Sequence, residues 1–510
     1  MRTSPSLTVC FCGMSAVHRA NTARAANPER RQQSPMAQSP PNILLITADQ
    51  LRYDCVGYSR IYPVQTPNLD KLAARSTVFH HAYSHIPVCS PARQSMLHGR
   101  RAETIGALWN YNAFLPVGCL QPDQYSWSAE LAENGYASAF LGKWGVNPDF
   151  DPTAFGYGSY VSESDYSAFR KSSYPDVAYS NGYFGENNPI PLEDAETQWF
   201  AARAIEAMER LQGGGSPWHM ALHFSEPHLP CRPAGPFADM YDPNDIPEWL
   251  GFPETFDGKP YIQRQQLLSW GVEDFAWADW APIVARYYGA ISQLDDAIGR
   301  VLTALDRIGA FDNTIVIFTA DHGDMCGSHR MMDKHYILYD DVVRVPLMIT
   351  WPGGQIEAGA ARKEFVYNLL DLAPTLFELT GIESKARASF QGRSLVPLLI
   401  AQNAEPSSQQ WREAVFASYN GQQFGLYTQR MVRTQEWKYI WNLTDIDELY
   451  ELHADPGELT NVIGEKKHAE TVAALRKLLF DQLSADEDPV IANEWTRRQL
   501  LTGAKALHRV

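Results

Sequence analysis

The 510-residue sequence has no long hydrophobic run. No stretch approaches the roughly 18 consecutive apolar residues that a membrane-spanning helix needs, and the best runs, 43–46 and 315–318, have the length of β-strands. Positive charge is also scarce, because 43 Lys and Arg against 59 Asp and Glu leave a formal net charge of −16. Such a surface repels polyanions. We therefore expect neither a membrane nor a nucleic acid as a partner, and small anions fit better than long ones.

Cysteines are few, and their spacing contains no C-x-x-C pair. Neither a disulfide framework nor a zinc ribbon is indicated by the seven, which are Cys10, Cys12, Cys55, Cys89, Cys119, Cys231 and Cys326. A secretory signal is not evident either, since the apolar stretch 7–17 is broken by Ser, Thr and Gly. Residues 1–40 are predicted to be a flexible leader, or a processed or untranslated segment with synthesis starting at Met36. A cytoplasmic location is favoured over a periplasmic or secreted one.

Two short apolar runs, each ending in a carboxylate, lie far apart in the chain. The first is N-I-L-L-I-T-A-D at 42–49, and the second is N-T-I-V-I-F-T-A-D at 313–321. Both are predicted to be buried strands, and an amphipathic helix is predicted over 290–308. Strands alternating with helices indicate an α/β fold with a largely parallel sheet covered by helices on both faces. Ligands of such sheets lie beyond the carboxyl ends of the strands, where Asp49 and Asp321 fall.

Two other regions differ in composition from these strands and helices. Residues 162–191 are rich in Ser, Tyr, Asn and Gly and are predicted to be surface loops. Later, W-K-Y-I-W at 437–441 and E-L-Y-E-L at 448–452 indicate short antiparallel strands. We therefore predict a main α/β domain over 41–409 and a smaller C-terminal α+β subdomain over 410–510, with a small antiparallel sheet and a helix.

The most informative segment is C-S-P-A-R-Q-S-M-L-H-G at 89–99. Pro91 suits the first turn of a helix and Gly99 suits its stop, so Cys89 is predicted at the helix N-terminus. There the helix dipole and the free backbone N–H groups favour negative charge on a thiolate, on an oxyanion derived from it or on a bound anion. The alternative is that Cys89 is a small core residue, as most cysteines are.

The pattern C-x-P-x-R followed by L-x-G resembles the signature of the type I sulfatases of the alkaline phosphatase superfamily. Agreement with that family covers several motifs between residues 42 and 462. The resemblance implies an alkaline-phosphatase-like fold and a hydrolase that cleaves a sulfate ester of a sugar, a glycan or a small alcohol. It also implies a maturation enzyme that oxidises Cys89 to formylglycine (3-oxoalanine), whose metal-bound hydrate is the nucleophile. Dimers are common among such enzymes, so a homo-oligomer is compatible with the resemblance.

The resemblance further implies one divalent metal ion, held by Asp49, Gln50, Cys89 as formylglycine, Asp321 and His322. Gln50 stands where many family members have a second aspartate, and His322 stands where many have asparagine. Calcium is the usual ion of the family and ranks first, while one imidazole and fewer carboxylates leave room for Mn²⁺ or Mg²⁺. Taken singly, Asp49 or Asp321 could be a strand-end carboxylate that caps a loop, and their coincidence with Cys89 outweighs this alternative.

Further residues are carried over from the family by their motifs. Lys143 in L-G-K-W and Lys334 in D-K-H-Y resemble the two lysines that contact the sulfate, and His228 in P-H-L-P matches a histidine that touches the sulfate or protonates the leaving oxygen. Asn110 resembles an asparagine that choline sulfatases and phosphonate monoester hydrolases place near the anion. The implied catalytic residues are Cys89, Arg93, Lys143, His228 and Lys334, and the implied substrate-binding residues are Asn110, Lys143, His228 and Lys334.

One departure from the family pattern concerns Gly145. The family often has G-K-W-H where this chain has G-K-W-G, so a histidine that helps to release sulfate is missing. Loss of one general acid–base group costs about 10²–10⁴-fold in rate. Phosphonate monoester hydrolases also lack this histidine, and Gln50 and Asn110 resemble that branch. The first alternative function is therefore a phosphonate monoester hydrolase or phosphodiesterase, and the second is a non-catalytic sulfate-binding relative in which Cys89 stays a thiol.

Two classes of sulfate ester stay open. G-R-R at 99–101 and N-Y-N at 110–112 resemble iduronate-2-sulfatase-type enzymes, which favours a glycan sulfate. A-D-Q at 48–50 and D-H-G-D-M at 321–325 resemble choline sulfatases, which favours a small alcohol. The acidic body argues against long, highly sulfated chains.

Overall fold

The computed structural model describes residues 40–113, 115–400, 411–423 and 425–505. The predicted leader over 1–40 lies outside the described residues except for Pro40. The predicted boundary between 409 and 410 also lies outside them, so both stay predictions. Among the described residues, no helix is both long and apolar enough to cross a lipid bilayer.

The strands of the described residues form three sheets. In chain order they are β1 (Asn42–Ala48), β2 (Thr77–Phe79), β3 (Ala82–Tyr83), β4 (Ala137–Gly142), β5 (Tyr160–Ser162), β6 (Trp218–His223), β7 (Thr314–Ala320), β8 (Arg344–Val345), β9 (Leu347–Thr350), β10 (Ala360–Arg362), β11 (Val366–Tyr367), β12 (Val415–Tyr419), β13 (Gln429–Arg433), β14 (Trp437–Asn442) and β15 (Glu448–Glu451).

The α-helices connect and flank these sheets. In chain order they are α1 (Pro67–Ala74), α2 (Cys89–His98), α3 (Trp127–Glu133), α4 (Glu163–Ser173), α5 (Glu196–Gly213), α6 (Tyr261–Trp270), α7 (Trp277–Arg307), α8 (Asp340–Val343), α9 (Leu372–Thr380), α10 (Val396–Leu399), α11 (Ala469–Ala485) and α12 (Glu494–Thr502).

The largest sheet has eight strands in the order β10-β2-β9-β7-β1-β6-β4-β5. From β7 to β5 every pairing is parallel, and β9 alone pairs antiparallel with its two neighbours within this described sheet. Every residue of β1, β6 and β7 is buried, so both faces of the sheet are covered at its centre. The predicted α/β fold with a largely parallel sheet is confirmed.

The register of the central strands brings their carboxyl ends to one edge. Ala48 at the end of β1 pairs with Ala320 at the end of β7, so the next residues, Asp49 and Asp321, emerge side by side. Strands β4 and β6 also end opposite each other. Because all four strands are parallel, the segments that follow them meet at this edge.

Two sequence predictions about helices can be compared with the structure. The helix predicted over 290–308 is confirmed, but α7 begins earlier, at Trp277. The prediction of surface loops throughout 162–191 is wrong for Glu163–Ser173, which forms α4. Ser162 and Asp165 form a capping box, in which each side chain accepts a hydrogen bond from the backbone N–H of the other. This local signal outweighs the loop-like composition.

The strands β12-β13-β14-β15 form an antiparallel sheet, as predicted for the C-terminal region. One face packs against α11 through a cluster that includes Val432, Tyr439 and Leu479. On the other face, Met431 and Ile440 belong to the main core. The C-terminal sheet therefore shares its core with the rest of the fold, and the loop between β12 and β13 reaches the functional site.

Candidate active site

Cys89 is the first residue of α2, as its sequence context predicts. The helix ends at Gly99, whose φ of 72° is the left-handed conformation expected for a helix stop. The Cys89 side chain lies at the edge formed by the strand ends, with the residue only 4% exposed. Its Sγ atom is 3.2 Å from His322 Nε2 and 3.7 Å from Asp49 Oδ1. Burial and Asp49 raise the pKa of this thiol, but the nearby cations, Lys143 first, outweigh them and hold it well below the ordinary value.

Four ligand-type side chains converge at this point. Atoms of Asp49, Cys89, Asp321 and His322 all lie within 4.8 Å of one another, and all four residues are buried. Two carboxylates and one imidazole are a donor set for a divalent ion. The resemblance implies that Cys89 is oxidised to formylglycine, and in that form an oxygen donor would take the place of Sγ. Burial opposes protonation of His322, but Asp321 and Cys89 raise its pKa to about 9, which shows that the cluster attracts positive charge.

Gln50 lies beside this cluster, with φ of 67°. Its backbone N–H donates to Asp321 Oδ1 at 3.1 Å. Its side-chain Nε2 donates to Asp324 Oδ2 at 2.9 Å and to Asp333 Oδ1 at 3.0 Å, while its Oε1 accepts from Lys334 Nζ at 2.8 Å. Both ends of the amide are thus engaged by neighbouring side chains, and ligation of a metal by Gln50 stays a prediction.

Arg93 connects the carboxylates of Asp49 and Asp321, which follow the ends of β1 and β7. Its Nη2 donates to Asp49 Oδ2 at 2.8 Å and its Nε donates to Asp321 Oδ2 at 3.1 Å. Its Nη1 donates to the backbone oxygen of Lys143 at 2.8 Å and lies 3.1 Å from His223 Nδ1. The fork of the guanidinium therefore holds both carboxylates in one geometry.

Two lysines place positive charge near the thiol, Lys143 from the end of β4 and Lys334 from the long connection between β7 and β8. Lys143, directly after β4, has its Nζ 2.7 Å from Asp49 Oδ2 and 3.8 Å from Cys89 Sγ. Lys334 Nζ lies 2.9 Å from His228 Nε2. His228 Nδ1 is 2.5 Å from the carbonyl oxygen of Leu229, which can only accept, so Nδ1 carries the hydrogen and Nε2 accepts from Lys334. Lys143, Lys334 and His228 thus surround the position in front of Cys89.

Asn110 lies at the start of α2. Its Oδ1 accepts the backbone N–H of Ser90 at 2.8 Å, one of the free donors of the first helical turn. Asn110 also lines a cleft of about 650 Å³ together with His228 and Lys334. All the residues predicted for the site are therefore gathered at one edge of the sheet, and their individual roles stay predictions.

The surroundings of Gly145 leave little space for a side chain at this position. Its φ is 65°, and a Cβ atom added to it would come 2.8 Å from Arg93 Cδ. In the present conformation a histidine at position 145 would therefore require a shift of the backbone or of the Arg93 side chain.

Several residues of the site have no clear motif in the sequence. Asp324 and Asp333 anchor Gln50, and Gln422 and Gln423 extend the cleft from the loop between β12 and β13. Asp324 belongs to the D-H-G-D-M stretch and Asp333 precedes Lys334, so proximity in sequence could have indicated these two. Nothing local marks the two glutamines.

Comparisons with known proteins agree with this geometry. Residues 41–382 match the Sulfatase family, and residues 327–485 match the family described as N-sulphoglucosamine sulphohydrolase, C-terminal. An arylsulfatase of Clostridium perfringens is 29% identical over 495 residues, which cover 88% of this chain and 95% of that protein. A choline-sulfatase of Rhizobium meliloti is also 29% identical, over 84% of this chain and 83% of that protein.

Solved structures show the same likeness. The crystal structure of the phosphonate monoester hydrolase of Agrobacterium radiobacter matches with a TM-score of 0.74 and 25% identity, over 88% of this chain and 96% of that chain.

Proposed function

The chain belongs to the sulfatase family, and from this premise we propose that it hydrolyses a sulfate ester by means of a formylglycine nucleophile formed at Cys89. The family consists of metal-dependent sulfuric ester hydrolases, so the class of reaction follows from membership. The assignment of each step to a residue is our proposal.

The observation that carries the proposal is the environment of Cys89. The residue lies at a helix N-terminus, within reach of a cluster of metal-type ligands and between Lys143 and Lys334. A sulfate ester is an anion, and its attack by an anionic nucleophile builds up further negative charge. Cations and helix N–H groups fixed in a buried site stabilise that charge without reorganisation.

The group formed from Cys89 supplies a nucleophilic oxygen in place of the thiol. We propose that Lys143, Lys334 and Asn110 bind the sulfate oxygens. The leaving alcohol requires a proton, and we propose that the Lys334 ammonium supplies it, with His228 Nε2 accepting a hydrogen bond that orients this ammonium. Arg93 holds the carboxyl groups of Asp49 and Asp321 in place.

We propose that Asp49, Asp321 and His322, with the oxygen that replaces Sγ, hold one divalent ion. We rank Ca²⁺ as the first candidate for this ion, followed by Mn²⁺ or Mg²⁺. When bound, such an ion neutralises negative charge on the substrate. Gln50 completes the set only if its Oε1 is released by Lys334. Metal analysis of the purified protein identifies the ion.

The direct test is hydrolysis of an aryl sulfate by protein produced together with a formylglycine-generating enzyme. We expect an aldehyde at position 89 by peptide mass spectrometry and turnover that disappears in Cys89→Ala. An unmodified thiol combined with full activity would refute the proposal, and so would equal activity of Cys89→Ala.

A phosphonate monoester hydrolase is the second candidate, favoured by the likeness to the Agrobacterium radiobacter enzyme and by Gly145. Matched aryl sulfate and aryl phosphonate monoester substrates with the same leaving group separate the two. A higher Cys89-dependent kcat/KM for the sulfate supports the first candidate, and a higher value for the phosphonate supports the second.

A further inference from the structure

The cleft in front of Lys334 and His228 has a wall of which the proposed chemistry uses only Asn110. The cleft holds about 650 Å³, far more than one sulfate group needs. We call it the amide cleft, because its wall presents the side-chain amides of Asn110, Asn112, Asn181, Gln422 and Gln423. The rings of Tyr183, Phe184 and Trp270 complete the wall.

Four of these amides are anchored at one end only. The Oδ1 of Asn110 accepts from Ser90, and the Oε1 of Gln422 accepts from the backbone N–H of Asn110 at 3.2 Å. The Nε2 of Gln423 donates to Asp333 Oδ2 at 3.1 Å, and the Nδ2 of Asn181 donates to the Gly185 carbonyl at 2.6 Å.

The opposite end of each amide has no hydrogen bond to another residue in the part of the chain that the structure describes. Asn110 and Gln422 thus keep free NH₂ donors, whereas Asn181 and Gln423 keep free carbonyl acceptors. Free donors and free acceptors that line the same cleft match a ligand whose groups both donate and accept, and hydroxyl groups have this property.

The rings form an apolar surface beside these amides. Tyr183 is 61% exposed, and it meets Trp270 edge to face with ring centroids 5.4 Å apart. Trp270 is half-buried, and the two rings lose contact with water when a flat apolar face covers them. A pyranose ring has such a face, formed by its C–H bonds, and carries hydroxyl groups around its rim.

The charges of the amide cleft exclude an anionic ligand beyond the sulfate. Lys334 is engaged by Gln50, by His228 and by Asp333 at 3.4 Å. The buried ring of His335 is held between Asp333 and Tyr419. No Arg and no second Lys is among the described residues that line the cleft. A carboxylate or a second sulfate there would face Asp333 and the net charge of −16 without a counter-ion.

We propose that the amide cleft is the subsite for the leaving group and that this leaving group is an uncharged sugar. The ring lies against Trp270 and Tyr183, and its hydroxyls bind the free ends of Asn181, Gln422 and Gln423. The inference rests on the proposed sulfatase activity, and it names the substrate as a sulfate monoester of a neutral sugar rather than of a uronate.

A second cleft of about 380 Å³ lies on the other side of His228. It contains Arg170 and Arg232 but also the carboxyl groups of Glu163, Glu196 and Glu226. The carboxylate of a uronate substrate would need these two arginines as its binding partners. The opposite outcome of the test is therefore a preference for the uronate that depends on Arg170.

The kinetic test uses matured protein and three substrate types: a panel of monosulfated neutral hexoses and N-acetylhexosamines, a 2-sulfated hexuronate disaccharide, and 4-nitrophenyl sulfate. We expect the highest sugar kcat/KM for a neutral member of the panel. Trp270→Ala and Gln422→Ala should each lower kcat/KM for this sugar sulfate about ten-fold or more. The decrease in kcat/KM for 4-nitrophenyl sulfate should be clearly smaller. Trp495→Ala, which removes a 65% exposed ring from α12, is the matched control and should change neither.

The binding test uses the Cys89→Ala protein, which cannot turn the ester over, and titration calorimetry. We expect Trp270→Ala to weaken binding of the preferred sugar sulfate about ten-fold and binding of inorganic sulfate less than two-fold. Equal weakening of both ligands overturns the inference, and so does a preference for the uronate that is lost in Arg170→Ala. Absence of Cys89-dependent turnover of 4-nitrophenyl sulfate would instead refute the proposed function, and the calorimetry still decides what the cleft binds.

Discussion

Gly145 and Arg93 are so close that a Cβ atom on the glycine would lie 2.8 Å from Arg93 Cδ. We therefore expect Gly145→His, which introduces the histidine of the family pattern, to lower kcat/KM on an aryl sulfate rather than raise it. The left-handed backbone and the overlap together cost about 2–5 kcal/mol of stability, and displacement of Arg93 disturbs Asp49 and Asp321. Steady-state kinetics and urea unfolding of the variant test this. A faster enzyme would contradict it.

Arg93 should not tolerate replacement by lysine. Arg93→Lys retains one positive charge but cannot donate simultaneously to Asp49 and Asp321. Breaking a buried pair costs about 3–5 kcal/mol, so we expect a lower urea midpoint and at least ten-fold weaker metal binding by calorimetry. Arg203→Lys on the exposed face of α5 is the matched control. Unchanged metal affinity would show that the carboxylates need no support from Arg93.

Removal of the metal should lower stability in a way that depends on metal concentration. A ligand that binds only the folded state stabilises it by about 4 kcal/mol at a thousand-fold excess over Kd. We expect a chelator to lower Tm and added Ca²⁺ or Mn²⁺ to restore it, with the better ion acting at the lower concentration. Asp321→Asn should lose this response. A metal-dependent Tm that persists in the variant would place the ion elsewhere.

The burial of Cys89 predicts when a maturation enzyme can reach it. Since the residue is only 4% exposed, another enzyme cannot enclose it in the folded protein. We expect a formylglycine-generating enzyme to convert residue 89 during synthesis or in the urea-unfolded chain, and to leave the folded thiol form unmodified. Peptide mass spectrometry after timed incubation measures the conversion. Rapid conversion of the folded form would show that the strand edge opens.

Glu196 and Glu226 should make stability fall as the pH rises. Burial raises the pKa of Glu196 to about 7 and that of Glu226 to about 8, from 4.5. Between pH 4.5 and these raised pKa values, the unfolded chain has lost protons that the folded protein keeps. The unfolding free energy therefore decreases as the pH rises from about 4.5 to about 8. Glu226→Gln should therefore gain stability relative to the parent near pH 9, by at least about 1 kcal/mol, and gain less near pH 5. Urea unfolding at both pH values measures this, with exposed Glu209→Gln as the control. An equal effect at both would refute it.

The strand ends could be predicted from the sequence because their signal is local. Asp49 and Asp321 each follow a short apolar run, and the same kind of run pairs in parallel at the centre of the sheet. The start of α2 at Cys89 was also predictable, since Pro91 and Gly99 mark the two ends of one short helix.

The wall of the amide cleft could not be predicted in this way. The hydrogen bond from the Asn110 backbone to Gln422 joins residues 312 positions apart, and no periodicity or cap indicates such a contact. Trp270 and Tyr183 meet because α6 and the segment before α5 are brought together by packing. The helix α4 is a different case, because its Ser- and Tyr-rich composition is typical of loops and only the S-x-x-D spacing at Ser162 indicates a helix start.

Cys89 and the two glutamines of the amide cleft come from separate parts of the chain. Cys89 belongs to the first hundred residues, whereas Gln422 and Gln423 lie in the short connection between β12 and β13. Substitutions in that connection can therefore change one part of the wall of the amide cleft while Cys89 and its cluster of ligand-type side chains stay as they are.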